Sequence, residues 1–129
     1  MAEGSPGKTV LVVDDDDVLR KLVYIALQRA GLMVTIAVDG ADALQKLANQ
    51  SFDVIVSDCN MPRVDGFKLC ESVRAEPRIA AIPIILMTSG TVDREERTTA
   101  LSLGATAIVP RTPGLAEVVA AVRQVIAAG

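Results

Sequence analysis

TVLVVDDDDVLRKLV, residues 9–23, changes character at its midpoint. Val10–Val13 is a run of branched apolar residues, the pattern of a strand covered on both faces. Four carboxylates, Asp14 to Asp17, follow with no spacer. Beyond them Leu19, Leu22, Val23, Ala26, Leu27 and Ala30 share one face at helical spacing, and Gly31 stops the pattern. The order is buried strand, acidic turn, amphipathic helix. Asp16 and Asp17 fall at the helix start, where negative charge suits the helix dipole and its free N–H groups. Asp14 and Asp15 lie where the strand ends, and they need another explanation.

The alternation continues along the chain. Further apolar runs occur at Met33–Ala37, Val54–Val56, Ile84–Met87 and Ala107–Val109. Helical stretches cover about 17–30, 41–49, 66–75, 93–103 and 114–127. Asp39-Gly40 opens the second helix, Asp93 with Glu96 has the spacing of a capping box, and Thr112-Pro113 suits an N-cap and first helical position. Five strands alternating with five helices predict an α/β fold with a parallel sheet. Residues 1–7, small and polar with two Gly and a Pro, read as a flexible tail before one domain over 8–127.

Composition removes several classes. Half of the 129 residues are apolar but only three are aromatic, so the core is built from Val, Ile, Leu and Ala. A net charge of -3 offers no basic surface for direct contact with nucleic acid. No apolar run approaches the ~20 residues of a membrane span, and MAEGSPGKT has no apolar signal region, so a cytoplasmic location is expected. Cys59 and Cys70 fit neither a zinc ligand set nor a CxxC redox pair and read as reduced, partly buried thiols. The chain has no histidine, which excludes Ser-His-Asp and Cys-His nucleophile systems and a phosphohistidine on it.

In an open α/β sheet, ligands bind beyond the C-terminal strand ends where strand order reverses. The first strand ends in Asp14-Asp15, the third (FDVIVSD) in Asp58, the fourth (IPIILMTS) in Thr88-Ser89, and the fifth (ATAIVPR) in Arg111. If the first and third strands are neighbours, three carboxylates meet on one rim, flanked by a hydroxyl and a cation. Close carboxylates repel unless compensated. Mg²⁺, which takes oxygen ligands and commonly shares itself with a phosphate, is the natural partner. An Asp in such a site can accept a phosphoryl group, with the hydroxyl and the cation holding the phosphoryl oxygens.

Four motifs in order, VLVVDDD, FDVIVSDCNMPRVDGFKL, IPIILMTS and LGATAIVPR, resemble the receiver domain of two-component response regulators over residues 8–127. The resemblance implies a flavodoxin-like doubly wound (βα)5 fold, with strand order 2-1-3-4-5 and helices on both faces. It implies that Asp58 is the phosphoacceptor and that Asp14, Asp15, Asp58 and the backbone carbonyl of Asn60 hold Mg²⁺. Thr88 matches the hydroxyl that contacts the phosphoryl group, Ser89 a small residue that leaves room for it, and Met61-Pro62 and Asp65-Gly66 the turn into helix 3. The implied donor is a histidine kinase or phosphotransfer protein, and the implied output surface is the helix 4–strand 5–helix 5 face. The role is regulatory rather than enzymatic, compatible with self-phosphorylation from small phosphodonors and with autodephosphorylation.

Strand 5 departs from that pattern. Arg111 stands at the position of a Lys, Thr112 at that of a Pro, and Ile108 at that of an aromatic residue. Arg keeps the charge but replaces a point charge with a planar fork. A cis bond before Thr112 would cost about 3–4 kcal/mol, so Arg111–Thr112 is expected trans. Ile108 can neither swing a ring nor offer a hydroxyl, so coupling from Thr88 to the output face is expected to differ. These departures favour an alternative, a phosphorylation-independent pseudo-receiver acting as a protein interaction module; Asp14, Asp15, Asp58 and Thr88 oppose it. A Mg²⁺-dependent phosphohydrolase of the haloacid-dehalogenase type carries its nucleophile on strand 1 in a DxD pattern and usually a cap, neither of which fits. No GxGxxG follows strand 1, which removes a dinucleotide site.

Overall fold

A computed structural model describes residues 8–61 and 65–128. Strands β1 (Thr9–Val13), β2 (Met33–Ala37), β3 (Val54–Asp58), β4 (Ile84–Thr88) and β5 (Ala107–Pro110) alternate with helices α1 (Asp17–Arg29), α2 (Gly40–Asn49), α3 (Gly66–Ala75), α4 (Arg94–Ser102) and α5 (Ala116–Ala128). The strands pair in parallel in the order 2-1-3-4-5, as the motifs implied. The expected tail and Pro62 of the Met61-Pro62 turn lie outside the described residues.

Alternating side chains of the central strands feed two core layers. Val10, Val12, Val54, Val56, Ile85 and Met87 meet Val23 and Leu27 of α1 and Val118 and Val122 of α5. Leu11, Val13, Ile55, Ile84, Leu86 and Ile108 meet Leu47 of α2, Leu69 and Val73 of α3 and Ala100 of α4. Every residue of β3 and β4 is buried, and so is β1 after Thr9, which is why these strands read as unbroken apolar runs. Each such side chain contributes roughly 1.5–3 kcal/mol by leaving water.

The α1 stripe is wider than the sheet can cover. Val23 and Leu27 are buried, but Leu22, on the same face by helical spacing, is half exposed. It lines a groove of about 400 Å³ with Leu19, Ile25 and Leu115. β2 is an edge strand, so Met33 and Ile36 are exposed despite the apolar run.

Four helices open on an aspartate whose carboxylate accepts a backbone N–H. Asp16 accepts from Val18 and Leu19, both at 2.9 Å. Asp39 accepts from Asp42 at 2.8 Å, Asp65 from Lys68 at 2.8 Å and Asp93 from Glu96 at 2.7 Å. The fifth helix corrects the sequence reading. Thr112 makes no side-chain cap, and Pro113–Leu115 forms a single 3-10 turn. Gly114 (φ 80°) and Leu115 (φ 58°) then enter the left-handed region, which interrupts the helix so that α5 starts at Ala116. No cis peptide bond occurs among the described residues, so Arg111–Thr112 is trans as expected.

Gly66 sets how closely α3 approaches the end of β3. Its N–H donates to the Cys59 carbonyl at 3.1 Å. A Cβ built there would lie 2.5 Å from the Asp58 carbonyl oxygen and 3.0 Å from the Cys59 Cα. Both neighbours are backbone and cannot swing away. Gly66→Ala is therefore expected to destabilise the fold by about 1–3 kcal/mol, the usual range for overpacking. The urea midpoint measures this, and an unchanged midpoint would show that α3 is free to shift.

Candidate functional site

The strand order reverses between β1 and β3, so a crevice opens at their C-terminal ends. Val13 lies opposite Ser57, so the next residues, Asp14 just past β1 and Asp58 at the end of β3, stand side by side. Asp15 joins them: one carboxylate oxygen from each of Asp14, Asp15 and Asp58 lies within 4.8 Å of the others. Asp14 and Asp58 are buried and Asp15 is exposed. Asp16 and Asp17 stay outside this trio, Asp16 as the α1 cap and Asp17 in the first turn, as read from the sequence.

Arg111 supplies the opposing charge. Its Nη1 donates to Asp58 Oδ1 at 2.7 Å and lies 3.8 Å from Asp14 Oδ2. Its own N–H donates to the Thr88 carbonyl at 2.8 Å, which anchors the β5 end to the β4 end. Thr88 is buried at the last position of β4, and Ser89 follows it, exposed. Asn60 is exposed two residues beyond Asp58. Ile108 is buried opposite Leu86 of β4 in the layer under α4. The structure thus gathers Asp14, Asp15, Asp58 and Arg111 directly. Thr88, Ser89 and Asn60 lie on the same C-terminal rim, and Ile108 lies beneath it.

The Asp14 Oδ1 accepts the Asp16 N–H at 3.0 Å, while its buried Oδ2 has no hydrogen-bond partner among the described residues. Burial, with the Asp58 and Asp15 charges, pushes its pKa up to about 6, against the pull of the Asp16 N–H and Arg111. A buried acceptor without a partner is costly. Together with two further carboxylates it makes an all-oxygen donor set that fits a hard divalent cation such as Mg²⁺. Burial, then the Asp58 charge, pushes the Cys59 thiol up to about 12, and burial pushes Cys70 up to about 11. Both shifts oppose the thiolate that redox chemistry needs.

One contributor was not singled out from the sequence. Arg20 Nη1 donates to the Asp14 carbonyl at 2.9 Å, and its Nη2 donates to Asp17 Oδ1 at 2.6 Å. The spacing from Asp17 to Arg20 is the only sequence sign of it. The reach back to the Asp14 carbonyl is a tertiary contact across the turn.

The sequence matches the response regulator receiver domain family over residues 10–123. It is 38% identical over 99 residues to the transcriptional regulatory protein GltR of Pseudomonas aeruginosa, an alignment that takes in 77% of this chain and 40% of GltR. The fold superposes on the chemotaxis protein CheY4 of Vibrio cholerae with a TM-score of 0.85 and 34% identity, covering 92% of this chain and 98% of CheY4. It superposes on the response regulator TrrA of Thermotoga maritima, solved in complex with Mg²⁺ and BeF, with a TM-score of 0.80 and 26% identity, covering 92% of this chain and 98% of TrrA. The fold and its acidic rim are those of a regulatory signalling domain. The chain belongs to the response regulator receiver domain family.

The pH dependence of stability follows from Asp14. An acid whose pKa is higher in the folded state binds its proton more tightly there. Its contribution is full below the unfolded value of 3.8 and is lost as pH rises through about 6. In metal-free buffer Asp14→Asn is therefore expected to be more stable than the wild type at pH 7.5, by about 1–3 kcal/mol, with the advantage gone near pH 4. Urea unfolding at the two pH values checks this; an equal advantage at both would contradict it.

Proposed function

We propose that residues 8–127 act as a phosphoacceptor switch that takes a phosphoryl group onto Asp58 from a histidine kinase or phosphotransfer protein. The observation that carries the reading is the buried Asp14–Asp58 pair, joined by Asp15 and countered by Arg111 at 2.7 Å from the proposed acceptor. Asp14, Asp15, Asp58 and the Asn60 carbonyl would hold Mg²⁺, which when bound supplies positive charge to the phosphoryl oxygens and the acceptor. An Asp58 carboxylate oxygen attacks phosphorus. The new O–P bond forms as the P–N bond to the donor imidazole breaks, and that nitrogen keeps the electron pair and takes a proton. Arg111 turns from Asp58 Oδ1 to the phosphoryl oxygens, the Thr88 hydroxyl closes on them, and Ser89 leaves room. Water then attacks phosphorus to release phosphate and regenerate the carboxylate.

Phosphorylation shifts the balance between two conformations that differ in affinity for partners. The outlet is the α4–β5–α5 face, beneath which Ile108 fills the core. With no ring to swing, Ile108 couples Thr88 to that face through packing alone. The output partner is a protein, on a separate chain or in a further segment. No helix among the described residues is long and apolar enough to cross a membrane, and the proposed setting is the cytoplasm.

Incubation with acetyl phosphate and Mg²⁺, read by intact mass, tests the reading. One phosphoryl group is expected on the wild type, and none on Asp58→Asn or without metal. No gain under conditions that label a conventional receiver would overturn it in favour of the phosphorylation-independent interaction module.

A further inference from the structure

We propose that Arg20 is a positioning residue for divalent-cation binding by Asp14 and Asp15, an inference that rests on reading that rim as a Mg²⁺ site. The Arg20 side chain is only 12% exposed, although its ionic partner Asp17 is 88% exposed. An ion pair to so exposed a carboxylate is worth little and does not explain burying a guanidinium. The bond to the Asp14 carbonyl does. The two nitrogens of one planar fork reach the first and the last member of the four-aspartate run.

That bond completes the immobilisation of Asp14. Its N–H donates to the Ala37 carbonyl at 3.2 Å, its Oδ1 accepts from Asp16, and its carbonyl accepts from Arg20. Oδ2 is the polar atom of Asp14 left without a partner among the described residues, and it faces Arg111 and the Asp58 side of the rim. Four adjacent carboxylates repel one another, and without Arg20 the turn relaxes by splaying them. The pocket then loses the spacing that brings three carboxylate oxygens within 4.8 Å. Groups behind metal ligands commonly set affinity in this way.

The sign of the effect separates positioning from charge. As a bare cation Arg20 repels a metal ion, so its removal would tighten binding. As a positioning residue, its removal weakens binding. Mn²⁺, followed by the electron paramagnetic resonance signal of the free ion, is titrated into the wild type, Arg20→Gln, Arg20→Lys and Lys21→Gln, with urea midpoints measured on each. Lys21 is an exposed neighbour on α1 and controls for loss of one positive charge. Arg20→Gln is expected to bind about tenfold more weakly. Arg20→Lys, which can reach only one of the two acceptors, is expected to bind between it and the wild type. Lys21→Gln is expected to bind as tightly as the wild type or more tightly. Binding by Arg20→Gln as tight as the wild type overturns the proposal; if that variant fails to fold, equal binding by Arg20→Lys does so. A wild-type chain that takes up no Mn²⁺ overturns the metal reading itself, and the positioning role falls with it.

Discussion

Three carboxylates forced together at one strand junction, with the Arg111 guanidinium against them, form the constraint on which the rest of the structure turns. Parallel pairing of β1 and β3 leaves Asp14 and Asp58 no way to separate, because both strands are buried on both faces and fixed in register. Two strands away, Arg111 follows the end of β5, and its long side chain reaches past β4 to Asp58. The core layers make the rim rigid, and the rim in turn holds uncompensated charge that the core must tolerate. Asp14, with its unpartnered oxygen and raised pKa, is where this cost is concentrated. Stability given up at a site is the usual sign of a site shaped for a ligand.

Arginine at position 111 changes how that balance is kept. A lysine ammonium is a compact charge that can move between acceptors, whereas the guanidinium is wider and bonds through fixed directions. Here a single Nη lies near both Asp58 and Asp14, so one end of the fork serves two carboxylates that a divalent cation would also need. Arg111 and a metal ion are therefore competing cations, while Arg20 approaches from the α1 side and contacts the backbone and Asp17. The two arginines bracket the acidic turn and act in opposite directions on cation binding.

Much of this was legible in the chain. Buried parallel strands announce themselves as apolar runs, and Asp16, Asp39 and Asp93 marked helix starts because the cap is a local interaction. The motifs placed Asp14, Asp15, Asp58 and Arg111 on one rim before any geometry was known. What escaped was non-local. Arg74 donates to the carbonyls of Gly104, Ala80 and Ile82 and so ties the loop before β4 to the loop before β5, a role no neighbouring residue betrays. Arg20 escaped because its acceptor is a backbone carbonyl across the turn. Leu22 shares the apolar face of α1, but periodicity does not tell how much of that face the sheet covers, and the cap pattern of Thr112-Pro113 fails because Gly114 is free to leave the helical region where most residues are not.

Competition between Arg111 and a divalent cation for the same carboxylates is tested most directly by Arg111→Met, with Mg²⁺ affinity by calorimetry and metal-free stability by urea unfolding measured on the same samples. Loss of the guanidinium leaves Asp58 buried and uncompensated, so metal-free stability should fall by about 3 kcal/mol, the scale for breaking a buried ion pair. Mg²⁺ affinity should rise several-fold, because the ion no longer has to displace a resident charge. A variant that loses stability yet binds Mg²⁺ no better than the wild type would contradict the account and make Arg111 a structural partner of Asp58 alone.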